Sequence, residues 1–154
     1  SCPQYHPDAP VFVALPFDQV IAAEILAAVE EAATPDRQFF VRDHPMTPFP
    51  LQSKGAVQRA SGALETLPAV SSVVYAATTV GLEALAGGLP TLRFRSRSKL
   101  SVDILPPGLS APTTEHESLV ADLDAARPPP RAGDRSHVFA APNIGLWTSR
   151  LKAT

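Results

Sequence analysis

The sequence predicts an α/β fold, a parallel sheet with helices on both faces. Three observations carry that expectation. Short runs centred on β-branched and aromatic residues recur at Val11–Leu15, Gln38–Arg42, Ser72–Tyr75 and Thr91–Phe94. Their centres are apolar without alternation, the pattern of strands buried on both faces of a parallel sheet. Stretches with helical periodicity separate several of these runs, so strand and helix alternate. The prolines, 17 in all, concentrate at 45–50, 106–112 and 128–130, where they punctuate elements and do not interrupt them.

Taken in order, residues 1–10 are polar, carry Pro3, Pro7 and Pro10 and have no periodicity. They read as a linker or interdomain remnant, with the domain itself at 11–154. Val11–Leu15 is the first strand. Asp18 is a candidate N-cap for a helix over Val20–Ala33, whose face is marked by Val20, Ile21, Ile25, Leu26 and Val29. Gln38–Arg42 is the second strand and runs into Asp43-His44-Pro45. A proline-rich loop at 46–55 leads to a brief third strand at Ala56–Arg59, and Leu64–Val70 suggests a short helix.

The central strand is Ser72–Tyr75. Thr79 to Ala86 can form two helical turns, with Val80, Leu82, Ala84 and Leu85 as apolar contacts. Gly87-Gly88 and Pro90 stop that helix, and Thr91–Phe94 is the next strand. A basic stretch, Arg95–Lys99, and a proline-rich crossing from Ser101 to Pro112 follow. Thr114 and Glu117 read as a capping box opening a helix with Leu119, Val120 and Leu123 buried. Val138, Phe139, Ile144, Leu146, Trp147 and Leu151 outline a last amphipathic segment expected to pack back on the domain. The elements together predict a Rossmann-like parallel sheet flanked by helices.

Composition narrows the function. A chain of 154 residues, 45% hydrophobic and 18% charged, has room for one soluble core. A net charge of −2 argues against a nucleic-acid partner, which calls for a basic surface. No apolar run reaches the roughly eighteen residues of a membrane span, and Ser1–His6 has no signal-peptide pattern. The single cysteine, Cys2, excludes an internal disulfide and fits a reducing cytoplasm. His6, His44, His116 and His137 lack metal-ligand spacing and there is no Asp-x-Asp, so no metal is expected.

In a strand–turn–helix unit of a parallel sheet, the turn lies at the carboxyl edge, where open α/β folds bind ligands. Thr78 and Thr79 occupy that turn, and free amides with the helix dipole favour a phosphate there. Glu83, one turn further, can accept hydrogen bonds from sugar hydroxyls. His44-Pro45 follows another strand and shares the rim if the strands are parallel. Its imidazole can stabilise charge on a departing phosphate or protonate it.

Plainer readings stand beside these. A Thr79 N-cap stabilises a helix by about 1 kcal/mol without a ligand. Glu83 can be a solvated first-turn acid, and His44 can merely cap its strand. Asp43 can orient the imidazole only against the alternation of a strand. Arg93, Arg95, Arg97 and Lys99 can meet a phosphate, an anionic acceptor or the inner membrane surface, or simply form a solvated loop.

The segment Tyr75–Pro90, with small residues, Thr78-Thr79, a helix carrying Glu83 and then Gly88-Leu89-Pro90, resembles the donor-nucleotide segment of GT-B glycosyltransferases. In that family a Glu seven residues before the Pro holds the ribose, and the preceding hydroxyl turn meets the donor phosphates. His44-Pro45 with a later hydroxyl pair resembles the bacterial sialyl- and Kdo-type transferases of capsule and surface polysaccharide. The match is tight over 75–90 and loose over 11–150.

The resemblance implies a GT-B half-domain that binds a nucleotide-sugar donor, CMP-linked ahead of UDP-linked, without a metal or other cofactor. His44 would be catalytic, and Pro45, Thr78, Thr79, Val80, Gly81 and Glu83 would hold the donor. It further implies a saccharide or lipid-linked acceptor bound by an N-terminal domain not in this chain, which alone would be an inactive half. A cytoplasmic location, with peripheral association at the inner membrane, goes with it. Two features depart from the family: nothing here matches its acid/base residue, and Leu15-Pro16-Phe17-Asp18 lacks the glycines often set beside a diphosphate. The alternatives on the same architecture are a non-hydrolysing UDP-sugar epimerase or a polyol-phosphate transferase. A non-catalytic nucleotide or sugar-phosphate-binding module is a third.

Overall fold

A computed structural model describes residues 1–100 and 103–129 of the chain. The expected segment over Val138–Leu151 lies outside the described residues. In chain order the elements are β1 (Gln4–Tyr5), β2 (Val11–Ala14), α1 (Gln19–Ala32), β3 (Phe39–Arg42) and β4 (Val57–Arg59), then a single 3-10 turn at Leu64–Thr66. They continue with β5 (Ala69–Val70), β6 (Ser72–Tyr75), α2 (Val80–Ala86), β7 (Thr91–Phe94), β8 (Thr113–Thr114) and α3 (Leu119–Ala125).

Six strands form one wholly parallel sheet in the order β4-β3-β2-β6-β7-β8. The chain winds outward one way from β2 and then the other way from β6, which is the doubly wound, Rossmann-like order. The helices lie on both faces, as a buried parallel sheet requires. Val13, Phe39, Val41, Val74 and Phe94 pack on one side with α1 and Leu119 of α3. Phe12, Val73 and Tyr75 pack on the other with Ala84 and Leu85 of α2.

Asp18 caps α1 as expected, accepting from the amides of Val20 at 2.8 Å and Ile21 at 3.2 Å. The buried face of α1 is shifted from the expected one. Val20 is 46% exposed, and Ala22, Ala28 and Ala32 join Ile21, Ile25 and Val29 in the core. Alanine has no side chain to hold the helix off the sheet, so small residues mark the contact as surely as large ones.

Three expectations are corrected. Thr114 and Glu117 do not form a capping box, because Thr113–Thr114 is the edge strand β8 and α3 starts after Ser118. β-Branched threonines suit a strand, and β8 takes up the ladder groups on the outer side of β7: Arg93 and Arg95 donate to Pro112 O and Thr114 O, each at 2.8 Å. Val120, expected in the buried stripe of that helix, is exposed. The helix expected over Leu64–Val70 is one 3-10 turn, because Ala69–Val70 extends to pair with β1. That pairing also ties part of residues 1–10 to the domain through Gln4↔Ala69 and Tyr5↔Val70.

Candidate functional site

The register sets the candidate residues on one rim. Ala14 lies beside Arg42 on one side and Tyr75 on the other. The turns that follow these three residues therefore rise from the same level at the carboxyl edge. The strands carrying His44 and Thr78 flank β2, two inter-strand spacings or about 10 Å apart. Between them, at β2 and β6, the winding reverses, which is where doubly wound sheets open a crevice.

The His44 side is closely hydrogen-bonded. The turn closes where the Thr47 amide donates to His44 O at 3.0 Å. The Met46 amide donates to His44 Nδ1 at 3.1 Å. A ring nitrogen that accepts carries no proton, so the neutral imidazole holds its hydrogen on Nε2, which has no acceptor among the described residues. The Phe17 ring meets the imidazole edge to face, with centroids 5.6 Å apart and planes at 85°. Thr47 Oγ1 donates to Phe17 O at 3.1 Å, and Gln19 Nε2 donates to Thr47 O at 3.3 Å. The turns after β2 and β3 are thereby laced together.

Asp43 turns to other partners. It accepts from Arg59 Nη1 at 2.9 Å and from the Phe49 amide at 3.0 Å. Burial alone raises its pKa, but these bonds outweigh burial and hold the carboxyl below its ordinary range. Asp43 thus braces the 46–55 loop, where Arg59 also donates to Phe49 O at 2.7 Å and Leu51 O at 3.0 Å.

The β6 side is built differently. Ala77, two residues past β6, has a left-handed backbone with φ of +49°. An L-residue held there costs about 1–2 kcal/mol. Thr78 Oγ1 is buried with no hydrogen-bond partner among the described residues. Thr79 occupies the N-cap position of α2, yet its hydroxyl makes no capping bond. Its backbone is already helical, whereas a capping side chain works from an extended one. The amides of Thr78, Thr79 and Val80 donate to no acceptor among the described residues. Val80 itself is partly packed against the α2-side core.

Gly81 is fixed by packing. A Cβ there would come within 2.4 Å of the Tyr75 ring, so only glycine lets α2 cross that ring. Glu83 is exposed on α2 with no side-chain partner among the described residues, and Pro45 is exposed in the His44 turn. Cys2 returns to α2, because a Cβ on Gly87 would lie 2.1 Å from its sulfur. Partial burial pushes the Cys2 thiol above its ordinary value, against the opposing pull of the N-terminal ammonium.

The basic loop is largely matched to acids. Arg93 Nε lies 3.5 Å from Asp103, Lys99 Nζ 2.8 Å from Asp18, and Arg97 pairs with Glu117. Glu24 of α1 accepts from Ser96 Oγ at 2.9 Å and the Arg97 amide at 3.1 Å. Arg95 has no ion-pair partner among the described residues. Asp103 also faces the Tyr75 hydroxyl at 3.4 Å. Burial first, and then the Asp103 charge, push that phenol well above its ordinary value.

No protein-family model, curated protein or solved structure matches this chain. What the rim can do therefore rests on its own geometry. Cavities of about 660 Å³, beside Thr34, Gln38 and Lys54, and about 510 Å³, beside Arg37 and Ser72, open at the amino edge, away from these turns. The second is lined by the Arg37–Asp124 ion pair, and neither cavity includes a residue of the candidate rim. Among the described residues no cluster of three or more His, Cys, Asp or Glu is arranged to hold a metal. No helix among them is long and apolar enough to cross a membrane.

Sequence reasoning set His44, Thr78 and Thr79 on one rim of the sheet, and the parallel register places them there. It missed Phe17 as a neighbour of His44, Tyr75 as the seat of Gly81, and the strain at Ala77. Only Phe17 had a visible signal, an aromatic residue in a short turn after a strand. The other two depend on how α2 crosses the sheet.

Proposed function

We propose that this chain is the donor-nucleotide-binding half of a GT-B-type glycosyltransferase for surface polysaccharide. The observation that carries the reading is the wholly parallel, reversing strand order, which brings the turn with His44 and the turn with Thr78-Thr79 to either side of the switch point. A phosphate between them would meet the Nε2–H of His44 on one side. On the other it would meet the Thr78 hydroxyl, which has no partner of its own, and the unused amides of 78–80. Glu83, exposed one turn along α2, would accept from the ribose.

In this reading the chain supports departure of the nucleotide. His44 donates to the phosphate oxygen as the bond to the sugar breaks, and that hydrogen bond strengthens as charge builds. Activation of the acceptor hydroxyl falls to a group outside the described residues, in a second domain that binds the saccharide or lipid-linked acceptor. Work in the cytoplasm, at the inner face of the membrane, belongs to the same reading.

The test is titration of the chain with CMP, CDP, UDP, GDP and ADP, followed by backbone amide NMR. Saturable shifts centred on His44 and Thr78–Glu83 are expected, with CMP ahead of the others. A UDP preference at the same residues would move the donor class but keep the architecture. Binding centred at the amino-edge cavities would sink the assignment.

A further inference from the structure

Phe17 is 60% exposed, yet little about it is free to move. Pro16 precedes it and the α1 cap Asp18 follows it. Its carbonyl is held by Thr47 and its ring by the His44 imidazole. Two further apolar side chains lie close in the chain to these contacts: Val20 in the first turn of α1, 46% exposed, and Met46 inside the His44 turn, 75% exposed. Folding usually buries such groups, because apolar surface gains by leaving water. A fixed aromatic left in solvent beside a candidate site is the construction expected of a ligand platform.

The surrounding chemistry narrows the ligand. An aromatic face carries negative charge density, and the C–H face of a pyranose ring presents weakly positive hydrogens over an apolar surface. Hydroxyls of that sugar both donate and accept, and a donor close by favours them over a purely apolar ligand. His44 Nε2–H serves the phosphate, while the Lys99 ammonium, held by Asp18, the residue after Phe17, keeps protons to spare for the sugar. A long apolar chain would leave that donor unused.

We infer that Phe17 is the platform of a pyranose-binding subsite flanked by His44 and Lys99. The assignment of that pyranose to the donor rests on the nucleotide-binding reading above, with the sugar on the His44 side of the phosphate and the ribose on the Glu83 side.

The experiment compares the full chain with Phe17→Ala and Phe17→Tyr. Probes are CMP, CMP-N-acetylneuraminate, UDP, UDP-glucose and free methyl pyranosides, read by calorimetry and saturation-transfer NMR. At least one sugar nucleotide is expected to bind about tenfold tighter than its parent nucleotide. That ratio should fall to about one in Phe17→Ala and return in Phe17→Tyr. A ratio unchanged by Phe17→Ala overturns the subsite while nucleotide binding stands. If no nucleotide binds but pyranosides give Phe17-dependent transfer, the subsite stands and the donor reading falls. Absence of both signals overturns the inference.

Discussion

The two turns that frame the switch point are made on opposite terms. On the His44 side most polar groups are bonded: Asp18 caps α1 and holds Lys99, Asp43 holds Arg59, and Thr47 ties Phe17 to the next turn. On the Thr78 side a left-handed alanine, an unpartnered buried hydroxyl and an uncapped helix start lie within three residues. Strain and unmet hydrogen bonds persist only where the surrounding structure forces them. Here the forcing element is the Tyr75–Gly81 contact, which fixes α2 before its first turn can relax. The first side is organised by its own residues. The second is organised by packing and leaves its polar groups without partners among the described residues.

The largest test strikes that packing. Gly81→Ala drives a methyl into the Tyr75 ring and should destabilise the domain by about 2–3 kcal/mol, the scale of an overpacked core. Urea denaturation checks it. A neutral result would mean that α2 shifts freely and that packing does not impose the strain.

Acid should attack the other side first. Asp18, Glu24 and Asp43 all have folded-state pKa values below their ordinary 3.8, 4.5 and 3.8. For Asp18 the leading cause is the Lys99 bond; for Glu24 and Asp43 burial opposes the shift and hydrogen bonds overcome it. The unfolded chain therefore takes up protons at higher pH than the folded one. The stabilisation is complete above the ordinary values and is lost as pH falls through the folded ones. Urea midpoints should hold between about pH 7 and 5 and drop from about pH 4 downward. Amide protection at Met46, Thr47 and Phe49 should fall before that at Gly81 and Glu83, and the reverse order would break the contrast.

Of this contrast the sequence made the frame legible and hid the terms. Val73-Val74-Tyr75, Gly87-Gly88 and Asp18 announced a strand, a stop and a cap through local chemistry. Thr79 announced a cap that does not form, because its backbone conformation is set by Tyr75 beneath Gly81, six residues apart in sequence and in contact only once folded. Thr113–Thr114 misled in the same way, since the edge of β7 decides whether two threonines become a strand. The candidate rim could be read because one parallel register fixes many turns at once, whereas the polar state of each turn depends on contacts no local pattern records.

Smaller effects sharpen the contrast. Ala77→Gly removes the left-handed penalty and returns part of it as chain entropy, for a net gain of about 0.5–1 kcal/mol. Thermal melting checks the sign, and a loss would mean that the methyl packs. Thr78→Val keeps the shape and deletes the lone hydroxyl, so stability should hold or rise by up to about 1 kcal/mol. On the proposed donor reading, loss of that hydroxyl should also weaken nucleotide binding, read by calorimetry. A destabilised Thr78→Val would reveal a partner for the hydroxyl and erase the difference between the two turns.

The pairing of Val11 with Ser72 also has a kinetic meaning. These central strands are about sixty residues apart, so β2–α1–β3 can assemble locally while the seam to β6 must wait for a long closure. The rim between the His44 and Thr78 turns forms at that seam and does not exist in either half. In refolding, helical signal should return ahead of protection of the β2–β6 ladder amides, and the lag between them times the joining of the two halves.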